Sequence, residues 1–162
     1  MKKSTKSLFL GLILGWPILT QAQELQKNLD SFDKIIVSPK INLVLQKGEH
    51  ESIRIKYANV SSDKINIEVN NKCLRIYLDD ARLVDKHKKT RDENYTSNVS
   101  IYHDAVITAY VTYTELKVLD IRGEEEVTCD GPIDSEKFKL KAYGEADITL
   151  ASIHARKFKA VL

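Results

Sequence analysis

Two stretches near the C-terminal end of the chain say nearly the same thing at a fixed spacing, and this limits the folds available more than any other feature. Lys117-Val118-Leu119-Asp120-Ile121-Arg122-Gly123-Glu124-Glu125-Glu126-Val127-Thr128 is echoed by Phe138-Lys139-Leu140-Lys141-Ala142-Tyr143-Gly144-Glu145-Ala146-Asp147-Ile148-Thr149. Gly123 and Gly144 hold the same place in the two stretches, each before an acidic run and a β-branched pair. Phe158-Lys159-Ala160-Val161-Leu162 begins the pattern a third time, at nearly the same interval after Phe138. Short strands and glycine turns repeating at such an interval predict a β-solenoid, in which equivalent strands of successive units pair in parallel. Leu119, Ile121 and Val127 then point inward in one unit, and Leu140, Ala142 and Ile148 in the next.

Upstream the alternation is continuous but differently spaced. Ile41, Leu43 and Leu45 alternate with Asn42, Val44 and Gln46, and Ile53, Ile55 and Tyr57 with Ser52, Arg54 and Lys56; Ile65, Ile67 and Val69 alternate with Asn66 and Glu68, and Leu74, Ile76 and Leu78 close the series. Period-two alternation of β-branched residues marks half-buried strands. The short turns between them predict an antiparallel meander over residues 32–78. Glu24 to Asp30 reads as a frayed lead-in, and the doubly charged stretch 79–98 as a solvated loop that could also serve recognition. Strand pattern resumes from Val99 to Tyr113. No part of residues 23–162 shows helical periodicity over three turns, so the fold class is all-β, antiparallel strands leading into a right-handed β-helix or solenoid-like repeat region.

The first 22 residues read as a signal peptide. Lys2, Lys3 and Lys6 precede a short apolar core from Leu8 to Leu19, and Thr20-Gln21-Ala22 supplies small residues at a cleavage site before Gln23. The core is too short to span a bilayer comfortably, and no transmembrane segment is expected in the mature chain. Residues 23–162 suit one domain. With 25 basic and 23 acidic residues interspersed, the chain lacks the one-sided basic field of a nucleic-acid binder. Cys129 falls in phase with inward Val127, whereas Cys73 falls out of phase with Leu74, Ile76 and Leu78; two free thiols are expected.

No catalytic, cofactor or metal set is assigned. His50, His87, His103 and His154 are scattered, and His103 and Asp104, adjacent in the expected strand Val99 to Tyr113, should point to opposite faces. Gly123 and Gly144 are structural corners. Glu124, Glu126, Glu145 and Asp147 would form an acidic edge, since stacked units bring equivalent positions about 4.8 Å apart. Such an edge could hold a hard cation, supply paired carboxylates for sugar chemistry, or keep an exposed sheet edge soluble.

Phe32-Asp33-Lys34-Ile35-Ile36-Val37 followed by Ile41-Asn42-Leu43-Val44-Leu45-Gln46-Lys47-Gly48 resembles the opening of the putative auto-transporter adhesin family, head GIN domain. Glu115 to Gly123 and Ala142 to Ile148 resemble its glycine-cornered repeats. The resemblance implies an exported Gram-negative envelope protein with a right-handed β-helix-like fold and no conserved catalysis. It also implies repeats beyond Leu162, so the domain would be C-terminally incomplete and its last strand open to self-association. The expected function is a non-enzymatic adhesion or surface-assembly scaffold with a glycan or envelope-protein partner. A carbohydrate-active enzyme on the same scaffold and a periplasmic binding or sensory module are the alternatives.

Overall fold

The computed structural model describes residues 23–83, 87–92 and 95–162; the expected signal peptide lies outside them. The protein is all-β. In chain order the strands are β1 (Gln23–Asn28), β2 (Lys34–Val37), β3 (Asn42–Lys47), β4 (Ser52–Ala58), β5 (Ile65–Asn70), β6 (Cys73–Leu78), β7 (His87–Asp92), β8 (Tyr95–Ser100), β9 (Val106–Tyr113), β10 (Val118–Arg122), β11 (Val127–Tyr143) and β12 (Ile148–Val161). Ten of them form one sheet curled into a half-barrel, and β7 and β8 form a separate hairpin.

The sequence repeat is realised as parallel pairing. Val118 to Arg122 lie in register with Lys139 to Tyr143, and Val127 to Cys129 with Ile148 to Leu150. After an irregularity between Cys129 and Pro132 the offset shortens, with Phe138 opposite Phe158 and Lys141 opposite Val161. The long strand β11 therefore bends, its first residues pairing with β3 and its last with β10. This bend lets one sheet wrap around its own core.

The antiparallel meander over residues 32–78 is not what forms. β2 pairs in parallel with β6 on one side and β10 on the other, and β3 in parallel with β9 and β11. Within that range only β5 and β6 make the sequential hairpin; β4 is antiparallel to β1 and β9. The reason is that alternation specifies which face a residue takes, not which strand it pairs with. Gln23–Asn28, expected to fray, is held as an edge strand on β4. The expected loop 79–98 contains β7 and most of β8, so a hairpin stands where no strand was expected.

Parallel register stacks the apolar side chains into rows. Ile35 sits between Leu74 and Leu119, and Leu140 follows Leu119. Opposite them, Leu43 sits between Ala109 and Val127. Ile35, Leu43, Leu74, Ala109, Leu119 and Val127 are all fully buried, in one core shared by both arms of the curled sheet. Burying each large aliphatic side chain contributes roughly 1.5–3 kcal/mol before conformational entropy is set against it. Cys129 belongs to this core, while half-buried Cys73 shares the outer row with Lys34; both thiols are free.

Candidate functional site

Three times the chain crosses from one arm of the sheet to the other through short segments: 38–42, 122–126 and 143–147, between Val37 and Leu43, Ile121 and Val127, and Ala142 and Ile148. These crossings stack into one corner edge. Gly123 and Gly144 have φ of 145° and 122°, a backbone region that disfavours side chains. The two glycines touch: a Cβ on Gly144 would lie 2.3 Å from the Gly123 carbonyl oxygen, and the Gly123 N–H donates to the Tyr143 carbonyl at 3.0 Å. In the 38–42 crossing Lys40 itself takes a positive φ of 71°.

The fourth crossing, from Ile76 in β6 to Ala109 in β9, is where the charged excursion and its hairpin are inserted. It is fastened to the corner beside it. The Ser38 hydroxyl donates to the Arg82 carbonyl at 2.6 Å and the Asn42 amide to the Ile107 carbonyl at 3.3 Å. Asn42 also accepts from the Glu126 N–H at 3.1 Å, so it ties three successive layers together.

On this edge Glu124, Glu126, Glu145 and Asp147 are all exposed. Among the described residues no three His, Cys, Asp or Glu side chains converge to hold a metal ion. The four carboxylates therefore stand as a row in solvent. Glu125, outside that set, is the engaged one: it is half-buried, accepts from the Glu124 N–H at 3.0 Å, and pairs with Lys40 at 3.8 Å. Its position matches buried Ile41 and half-buried Ala146 in the neighbouring crossings, an inward slot that the glutamate fills by folding back.

His103 and Asp104 are brought together, contrary to the strand-based expectation, with Nε2 2.8 Å from the carboxylate. They lie in a turn after β8, where strand alternation does not apply, and both are exposed. His154 likewise meets Asp134 at 2.9 Å, and Lys47 reaches the same carboxylate, holding it below the ordinary aspartate range.

Two features escape the sequence reading. Asp120 alternates with Leu119 and Ile121, which places it outside, yet it is 1% exposed. Arg122 Nε at 3.1 Å and Lys141 Nζ at 3.2 Å satisfy its two oxygens. The second is a set of lysines facing one another across β11 and β12, Lys137 with Lys157 and Lys139 with Lys159. The echo of Phe138-Lys139 in Phe158-Lys159 carried that signal. In the core, Tyr113 reaches Cys129 Sγ at 3.5 Å, and burial pushes its phenol well above the ordinary tyrosine range.

Comparison with solved structures shows the same fold in a putative adhesin from Bacteroides fragilis, with a TM-score of 0.64 at 14% identity, covering 87% of this chain and 58% of that one. A putative adhesin from Parabacteroides merdae matches with a TM-score of 0.57 at 13% identity, covering 88% of this chain and 59% of that one. The chain thus spans less than two thirds of the length of either. Comparison with curated proteins gave no match. Among the described residues no helix is long and apolar enough to cross a membrane. The family model described as "Putative auto-transporter adhesin, head GIN domain" matches residues 31–162, and the chain belongs to that family.

Proposed function

We propose that the protein is a non-enzymatic, exported cell-envelope scaffold, residues 23–162 forming one domain that displays outer side chains for adhesion or surface assembly on a right-handed β-solenoid. The observation that carries this reading is the in-register parallel stack through β6, β2, β10, β11 and β12. Such a stack repeats outward side chains about every 4.8 Å on a rigid core, and repeated weak contacts add up to firm attachment. Family membership and the adhesin descriptions of the two structural neighbours agree with it. Export rests on the signal-like residues 1–22. In this reading Gly123 and Gly144 set the corners, and Glu124, Glu126, Glu145 and Asp147 keep that edge solvated.

Cell fractionation with N-terminal sequencing tests export: a mature protein beginning at Gln23 outside the cytoplasm is expected. Glycan-array binding without product formation supports adhesion. Oligosaccharide cleavage abolished by Glu124→Gln or Glu145→Gln would replace it with an enzymatic reading.

A further inference from the structure

Where β9, β3 and β11 run side by side next to the corner edge, the outer face of the sheet is hollowed into a cup of about 290 Å³. Strand alternation sets its walls. Leu43, Ala109 and Val127 are buried, so the residues just before and after each of them face outward. Tyr110, Val44 and Thr128 form one rung across the three strands, and Thr108, Asn42 and Glu126 form the next. All six line the cup. The two rungs stand about 6.7 Å apart along the strands, and the three strands together span about 10 Å.

The hollow exists because the two central residues do not fill it. Asn42 is drawn onto the main chain on both sides, its amide donating to the Ile107 carbonyl at 3.3 Å and its oxygen accepting from the Glu126 N–H at 3.1 Å. Val44 beside it is short. On one flank Arg54 and Lys56 of β4 hold the Tyr110 ring, at 4.5 and 5.7 Å from its centroid. The polar groups left over have no work inside the protein. Among the described residues the hydroxyls of Thr108, Tyr110 and Thr128 and the carboxylate of Glu126 have no hydrogen-bond or ion-pair partner.

We infer that the cup holds one neutral sugar residue of a glycan, its hydroxyls bonded to Glu126, Thr108, Thr128 and the Tyr110 phenol and its C–H face against Tyr110 and Val44. A pyranose brings hydroxyls that donate to a carboxylate and that both donate to and accept from side-chain hydroxyls, together with a non-polar ring face. The volume stands at the lower end of small-molecule sites, which suits a single ring. The Glu126 carboxylate, with no cation paired to it, disfavours an anionic ligand. A hard cation would need more charged oxygen than it finds, since no three acidic, histidine or cysteine side chains converge among the described residues. An extended peptide has no edge to pair with, because β9, β3 and β11 all have neighbours on both sides. The inference deepens the adhesion reading and rests on it for the ligand's place outside the cell.

The test is saturation-transfer NMR of the whole chain from Gln23 with three neutral probes, cellotetraose, mannotetraose and chitotetraose, and a heparin tetrasaccharide as comparator. Binding to at least one neutral probe is expected, with a Kd on the order of 1 mM and little dependence on salt. Glu126→Gln should weaken it about tenfold, and Thr108→Val and Thr128→Val a few-fold each. Val44→Tyr removes no polar group but fills the cup, and should abolish binding. Tyrosine suits a strand, so circular dichroism and thermal melting of that variant should match the parent. Ser52→Ala, in a neighbouring depression that shares only Val44 and Tyr110 with the cup, should leave binding unaltered. No binding of any neutral probe, binding of the heparin fragment alone, or binding that survives both Glu126→Gln and Val44→Tyr would each overturn the inference. The last of these would leave the adhesion reading standing. A cytoplasmic location in the fractionation experiment would overturn the adhesion reading and leave this binding result standing.

Discussion

Replacing Gly144 by alanine tests the corner stack at its tightest point. The new Cβ would lie 2.3 Å from the Gly123 carbonyl oxygen and 3.0 Å from its carbon, both backbone atoms that cannot swing aside. The residue would also hold φ at 122°, where an L side chain costs of order 1–3 kcal/mol. Relieving the clash by parting two hydrogen-bonded layers costs about another 1–3 kcal/mol. The stiffer unfolded chain of alanine returns roughly 0.4–1 kcal/mol. The net loss is then about 3 kcal/mol, a large fraction of an ordinary domain's stability and equivalent to about 12 °C in Tm at this chain length. Gly131→Ala is the internal control, since its Cβ would meet only Lys47 Cβ at 3.3 Å and Lys47 N at 3.5 Å, without a positive φ. It should shift stability by less than about 0.7 kcal/mol. Urea unfolding followed by circular dichroism measures both. Equal stability of the two variants would refute the stacked-glycine account of the corner.

Four further outcomes are expected. Asp120→Asn should cost about 2 kcal/mol in urea unfolding, because the negative charge facing Arg122 and Lys141 is lost and the amide keeps one acceptor oxygen while turning an NH2 group toward the other cation. The Thr114 hydroxyl donates to Glu51 at 2.7 Å and holds its carboxyl below the ordinary value of 4.5. The resulting stability is fully present above pH 4.5 and fades as the pH falls through the lowered folded value, so Thr114→Val should flatten the acid limb of the urea midpoint. Both thiols should titrate in denaturant without reductant, while in the native protein half-buried Cys73 should react well before buried Cys129. β12 pairs only with β11, leaving its other edge free among the described residues; the chain should self-associate in light scattering at high concentration, and Val161→Lys should reduce it.

What the sequence made legible was register within the repeat and the face of each core residue. Val127 opposite Ile148 and Leu119 opposite Leu140 could be read by laying Gly123 over Gly144, because like units must stack on themselves. Partner choice upstream could not be read, since Leu43 and Leu45 alternate in the same way whether β3 pairs with β4 or, as it does, with β9 and β11. The hairpin in the charged excursion left no trace because His87-Lys88-Lys89-Thr90-Arg91-Asp92 is polar at every position. At the corner, the glycines and the row of acids were legible from composition. Glu125 turning inward was not, since it depends on the space that Ile41 and Ala146 occupy in the layers around it. The burial of Asp120 was hidden for a similar reason: Arg122 is close by in the same strand, but Lys141 arrives from the next layer.

The placement of β2 between β6 and β10 has a consequence for how the chain must reach this state. The layer that β2 belongs to is among the first to be made, yet its neighbour on one side comes 84 residues later, as the Asp33–Lys117 contact shows. It cannot grow layer by layer from its N-terminus. The early strands must wait, with apolar rows uncovered, until β10 has emerged, and closing so long a loop must precede the contacts that reward it. Folding should therefore be slow and should set in only once the chain has been made as far as Arg122, which leaves the strands before it loose while they are being synthesised.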